Sequence, residues 1–193
     1  ERTRAPRGEE RFTCVSLFIY PREFSWGMVR DNLQKNSPQI SSLIHPHLAA
    51  SAARGFAFDT WLDQRDHGDH ESNILFGFDD RNHSDAGFVF LDYAFSMGMT
   101  GSEEAWVGGG HLLAGEAPFP RVMLDRMDVA VLNDMVVQIE NYPEEELNAV
   151  VARIPEPYFR PDERGPILAG LCARKTQLRR FLSPYLKANG GTP

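Results

Sequence analysis

The stretch GFAFDTWLDQRDHGDHESNILFGFDDRNHSDAGFVFLDYAFSMG, residues 55–98, decides how this chain folds. It reads as the end of a helix, a polar loop, a short strand, a turn, and a second strand closing in an acid. The apolar runs Ile74 to Phe78 and Gly87 to Leu91 flank the turn-forming DDRNHSDAG and are expected to pair as an antiparallel hairpin. Such pairing brings Asn73, just before the first strand, and Asp92, at the end of the second, to one end of the hairpin. With Asp66 and Asp69 in the loop that feeds it, this end is rich in hard oxygen donors, which suit magnesium and phosphate. Taken singly, Asp69, Asp79, Asp80 and Asp85 read as solvated turn residues, because Asp, Asn and Gly build turns for conformational reasons alone.

Upstream, His47 to Leu62 is dense in alanine, carries Phe56, Phe58 and Trp61 near its end, and is expected as a helix. His45 and His47 flank Pro46, which predicts a helix-start turn rather than a metal pair. Residues 1–10, ERTRAPRGEE, are charged and carry Pro and Gly, and are expected as a flexible N-terminal segment. FTCVSLFIY, residues 12–20, predicts a buried strand, and Phe24 to Lys35 a helix with Trp26, Val29 and Leu33 on one face, broken by NSPQ at 36–39.

Downstream, Ser96 to Asp125 has little regular pattern, and a segment of that length in a small domain is usually functional or mobile. Gly108 to Gly110 lacks the GxxxxGK[ST] arrangement and is expected as a turn, with His111 incidental. Helices are expected over Asp128 to Glu140, with Asp128 as N-cap, and from Pro143 and Glu144 to Arg153. After the connector IPEPYF, a long helix from Pro161 to Leu186 carries Arg174, Lys175, Arg179 and Arg180, expected as a solvated basic face. The sum is an α+β chain, mostly helical, with residues 11–193 forming one domain.

At 193 residues the chain is long enough for a sizeable core, and a hydrophobic content of 42% with 24% charged residues is ordinary for a globular protein. A formal charge of −7 argues against direct nucleic-acid binding, which depends on basic surface. Cys14 and Cys172 are too few and too far apart for a disulfide framework, which predicts a reducing, cytoplasmic setting. No apolar run approaches a membrane span and no signal peptide is visible.

The segments FDTWL, SNILF and FLDYAFSMG, in that order, resemble the catalytic core of HipA-like kinases, a branch of the protein-kinase-like superfamily. ARIPEPYFRPDERGPILAGLCARKTQLRRFL resembles that family's closing pattern, so the similarity spans roughly residues 47–183. The resemblance implies a kinase C-terminal lobe in which a short β-hairpin carries the metal-binding residues. It implies ATP- and magnesium-dependent phosphoryl transfer to a hydroxyl, on a protein substrate, with Asp66 as catalytic aspartate and Asn73 and Asp92 holding the metal. Asp66 and Asn73 are seven residues apart, a wider interval than the family pattern, which an insertion in the loop would accommodate. Asp69, four residues before Asn73 in an HGD segment that resembles aminoglycoside-type phosphotransferases, is the alternative. The chain contains only Lys35, Lys175 and Lys187, none on an expected strand, so the nucleotide-covering N-lobe is expected to be absent or supplied by a partner chain.

Two other function classes follow from the same residues. The cluster DHGDH places His67, Asp69 and His70 at the short spacing of half a zinc-hydrolase motif, with Asp66 where that motif has its first histidine and only His83 and His111 to complete it. A kinase-like module that binds a partner without catalysis is the other.

Overall fold

The computed structural model describes residues 22–35, 38–64, 66–68, 70, 73–79, 82–91, 96, 119–155 and 161–187. The strand expected at 12–20, the glycine run at 108–110, His111, Asp69, Asp80 and Asp92 lie outside these residues.

The core forms around one long helix. The described elements run β1 (Arg22–Ser25), α1 (Trp26–Gln34), α2 (Pro38–Leu62), β2 (Ile74–Asp79), β3 (Asn82–Phe90), α3 (Arg121–Leu124), α4 (Val129–Glu140), α5 (Glu144–Ala152) and α6 (Pro161–Lys187). The chain is α+β and mostly helical, with a single three-stranded antiparallel sheet of order β1-β2-β3 among the described residues.

Helix α2 starts well before the expected His47, and Pro46 lies inside it rather than at its start. Proline cannot donate to the carbonyl four residues back, a cost of about 3 kcal/mol in a helix interior. Burial offsets that cost. Ile44 and Leu48, on either side of Pro46, belong to the stripe that continues through Ala52, Ala53, Phe56 and Ala57 into the core. His45 and His47 therefore sit on helical backbone, two positions apart and on different faces.

The helix expected from Phe24 begins instead at Trp26, because Phe24 and Ser25 pair with β2 and the Ser25 hydroxyl accepts from Met28 N as its N-cap. Phe24, Phe76 and Phe88 lie opposite one another across the three strands, and the Phe76 and Phe88 rings are 4.9 Å apart. The hairpin forms with Ile74 opposite Phe90 and Phe76 opposite Phe88, as the apolar runs require. Its turn is shorter than expected, however. Asn82 pairs with Asp79, an irregularity between Gly77 and Asp79 takes up the extra residues, and Asp79 and Asp85 lie in strands.

Phe90 settles how closely β3 approaches α2. A Cβ on Gly55 would lie 2.5 Å from the Phe90 ring, so only glycine admits this contact. Helices α3, α4 and α6 also pack against α2. Asp128 caps α4 through Ala130 N and Val131 N, as expected, and α5 and α6 start and stop within a residue or two of their expected bounds. Part of the segment expected to be irregular is helical, since Arg121 to Leu124 forms α3 and buries Met123. Among the described residues no helix is long and apolar enough to cross a membrane.

Candidate functional site

The site is assembled where α2 ends. Asp63 adopts φ 56°, the only positive φ among described non-glycine residues. Gln64 N donates to the Asp59 carbonyl at 2.8 Å and Asp63 N to the Thr60 carbonyl at 3.4 Å, so the helix closes in a Schellman turn with an aspartate where glycine is usual. Arg174, fully buried on α6, finishes the cap. Its Nε donates to the Trp61 carbonyl at 2.8 Å, its Nη2 to the Thr60 carbonyl, and its guanidinium stacks 4.9 Å over the Phe181 ring. Lys175 is also buried, donating to the Tyr142 carbonyl at 2.9 Å. The expected solvated basic face thus holds only for Arg179 and Arg180, because the unsatisfied carbonyls at two helix ends draw the other two cations inward.

From this cap the loop folds back tightly. His70 N donates to the Asp66 carbonyl and Asn73 N to the His70 carbonyl, each at 3.0 Å. These turns bring the Asp66 and Asn73 side chains together, with Asn73 Nδ2 donating to Asp66 Oδ2 at 2.7 Å. The other Asp66 oxygen lies 3.0 Å from His70 Nε2, and the carboxyl side chain keeps 10% exposure while His70 keeps 60%. Leu91 N donates to the Asn73 carbonyl at 2.8 Å, so Asn73 is anchored beside the residue that precedes Asp92 in the chain.

His67 is turned away from solvent. Its Nδ1 lies 2.6 Å from Asp59 Oδ2 and its Nε2 lies 2.7 Å from the Leu91 carbonyl oxygen, with both side chains of the His67–Asp59 pair fully buried. Burial pulls the imidazole pKa down. The hydrogen bond and charge of Asp59, the Leu91 carbonyl and the charge of Asp66 outweigh it and raise His67 above its ordinary 6.5.

The structure therefore brings Asp66 and Asn73 into contact and leaves the Asp69 and Asp92 assignments outside the described residues. His67 is unsuited to the zinc site that DHGDH suggested, because both ring nitrogens already face oxygen acceptors. His83 falls within β3. Among the described residues no group of three or more His, Cys, Asp or Glu side chains is placed to share a metal ion. Asp59 was missed by sequence reasoning, although a carboxylate inside the apolar run GFAFDTWL carries a signal: a buried charge requires a partner.

No family model, curated protein or solved structure matches the chain.

Proposed function

We propose that the chain is the C-terminal lobe of a HipA-like kinase that transfers the γ-phosphoryl group of ATP to a hydroxyl, on a protein. The observation that carries this is the hydrogen-bonded Asp66–Asn73 pair, held in a short loop that anchors Asn73 next to Leu91. Phosphoryl transfer asks for such a pairing, a carboxylate to orient the acceptor and a neighbouring amide oxygen for the metal.

Asp66 holds the acceptor hydroxyl and takes its proton as the hydroxyl oxygen bonds to the γ-phosphorus and the bond to the ADP bridging oxygen breaks. Each carboxylate oxygen has two lone pairs, so the contacts from Asn73 and His70 still leave acceptor capacity. The Asn73 amide commits its donor to Asp66, so its carbonyl oxygen is the atom it offers a hard cation. Asn73 and Asp92 would hold magnesium, which supplies charge neutralisation to the phosphates.

All three lysines of this sequence lie on helices or their caps, so none is placed as the strand lysine that pairs with the phosphates in a kinase N-lobe. Calorimetry with ATP and magnesium tests the proposal. Saturable binding should require magnesium and weaken by about tenfold or more in Asn73→Ala and in Asp92→Ala. Absence of binding, or binding indifferent to both variants, would overturn it in favour of a non-catalytic kinase-like module.

A further inference from the structure

We infer that the buried Asp59–His67 pair is a positioning device, which locks the end of β3 to the loop carrying Asp66 and thereby tunes magnesium affinity. The magnesium part rests on the kinase proposal. The lock itself rests on geometry alone.

Three segments of the chain meet at the His67 ring. Asp59 belongs to the last turns of α2, His67 follows Asp66 directly, and Leu91 ends the described part of the hairpin. Nε2 faces a backbone carbonyl, which can only accept, so it carries a proton and donates. Nδ1 faces the Asp59 carboxylate at 2.6 Å, the short contact of a charge-assisted bond. Phe90 packs its ring 5.6 Å from the imidazole and Phe119 packs 5.7 Å from Phe90, which closes the pair off from solvent. The same Leu91 whose carbonyl is held by His67 donates its amide to the Asn73 carbonyl. Leu91 is thus pinned on both sides, and its carbonyl carbon is bonded to the nitrogen of Asp92.

Neither Asp59 nor His67 touches the acceptor in this scheme, so both are positioning residues rather than catalytic ones. Groups that hydrogen-bond to or steer a metal's ligands, rather than ligating it, set its affinity, and their loss typically costs about 10–100-fold.

Two substitutions at one position separate the lock from general stability. In His67→Asn the amide nitrogen can stand in for Nδ1 and keep the bond to Asp59, but the side chain is too short to reach Leu91. In His67→Gln the amide nitrogen reaches the Nε2 position and can restore the Leu91 bond.

Hydrogen exchange and magnesium titration are then read side by side. The Leu91 amide should exchange about tenfold faster in His67→Asn than in wild type, return towards the wild-type rate in His67→Gln, and leave the amides of Leu132 and Val136 in α4 unchanged. With ATP saturating, the magnesium concentration for half-saturation should rise about tenfold or more in His67→Asn, while ATP affinity at saturating magnesium stays within about twofold. Equal Leu91 protection in all three proteins would overturn the lock. A magnesium requirement that does not move while Leu91 exchange accelerates would overturn its link to the metal. If wild type binds no nucleotide but the exchange pattern appears, the kinase proposal falls and the lock stands.

Discussion

A carbonyl oxygen can only accept a hydrogen bond, and that decides the proton inventory at His67. With Nε2 committed as a donor to Leu91, a second ring proton would sit on Nδ1 and face Asp59 across 2.6 Å. Burial opposes it, but the hydrogen bond and charge of Asp59 outweigh burial and raise the imidazole pKa. A group whose pKa is higher folded than unfolded contributes its full stabilisation below the unfolded value and loses it as pH rises through the folded value. The contribution of His67 should therefore be complete below about pH 6.5 and fade above it. Urea unfolding from about pH 6 to pH 9 checks this, with Asp59→Asn as reference because it removes the largest raising influence. Wild type should lose stability relative to the variant as pH rises. Parallel curves would mean that the pair carries no second ring proton.

Glycines in two helices should respond in opposite directions to the same substitution. Replacing an interior helical glycine by alanine gains about 0.5–1 kcal/mol of backbone entropy where space allows. At Gly165 in α6 no atom beyond the chain neighbours and the helix's own backbone lies within 4 Å of the new Cβ. Pro166 follows, however, and its ring crowds a Cβ on the preceding helical residue, so Gly165→Ala should stabilise by less than that amount. At Gly55 the new carbon would meet three Phe90 ring atoms at 2.5, 2.7 and 2.9 Å, and overpacking of this kind costs about 1–3 kcal/mol. Phe90 cannot swing aside without disturbing His67 and Phe119, so the clash should win and Gly55→Ala should destabilise. Denaturant midpoints of the two variants decide it, and stabilisation at residue 55 would show that β3 is less firmly seated than it looks.

These elements also show what could be read from the chain and what could not. The apolar spacing of α4, α5 and the hairpin is local, so it was visible in the sequence along with the Asp128 cap. The passage of α2 through Pro46 was not, because the compensation is burial of Ile44 and Leu48 against distant partners. Within the site, strand order placed Asn73 at the end of the hairpin fed by the loop that carries Asp66, whereas their hydrogen bond is set by the turns at His70. The roles of Asp59 and His67 depend on a carbonyl 24 residues downstream of the histidine and could not be read from spacing.

Across the whole molecule, one side chain ties the last helix to the site, and the basic cluster that contains it divides by burial. Arg174 reaches from α6 to carbonyls 113 and 114 positions earlier in the chain, and holds the turn from which the Asp66 loop departs. Its Nη2 also stands 3.9 Å from Asp63 Oδ1, both side chains fully buried. Removing one partner of a buried charge pair costs about 3–5 kcal/mol, and here the Thr60 and Trp61 carbonyls would also lose their donor without regaining water. Arg174→Met should therefore destabilise the protein by an amount in that range. Arg174→Lys should recover little, since a single ammonium cannot serve two carbonyls and the Phe181 face at once. Arg179, five residues on, pairs with Glu140 at 2.8 Å but keeps 47% side-chain exposure, and exposed pairs contribute only about 0.2–1 kcal/mol. Arg179→Ala should stay below about 1 kcal/mol. Urea unfolding of the three variants tests the contrast, and comparable losses at 174 and 179 would mean that the cap on α2 does not depend on its buried guanidinium.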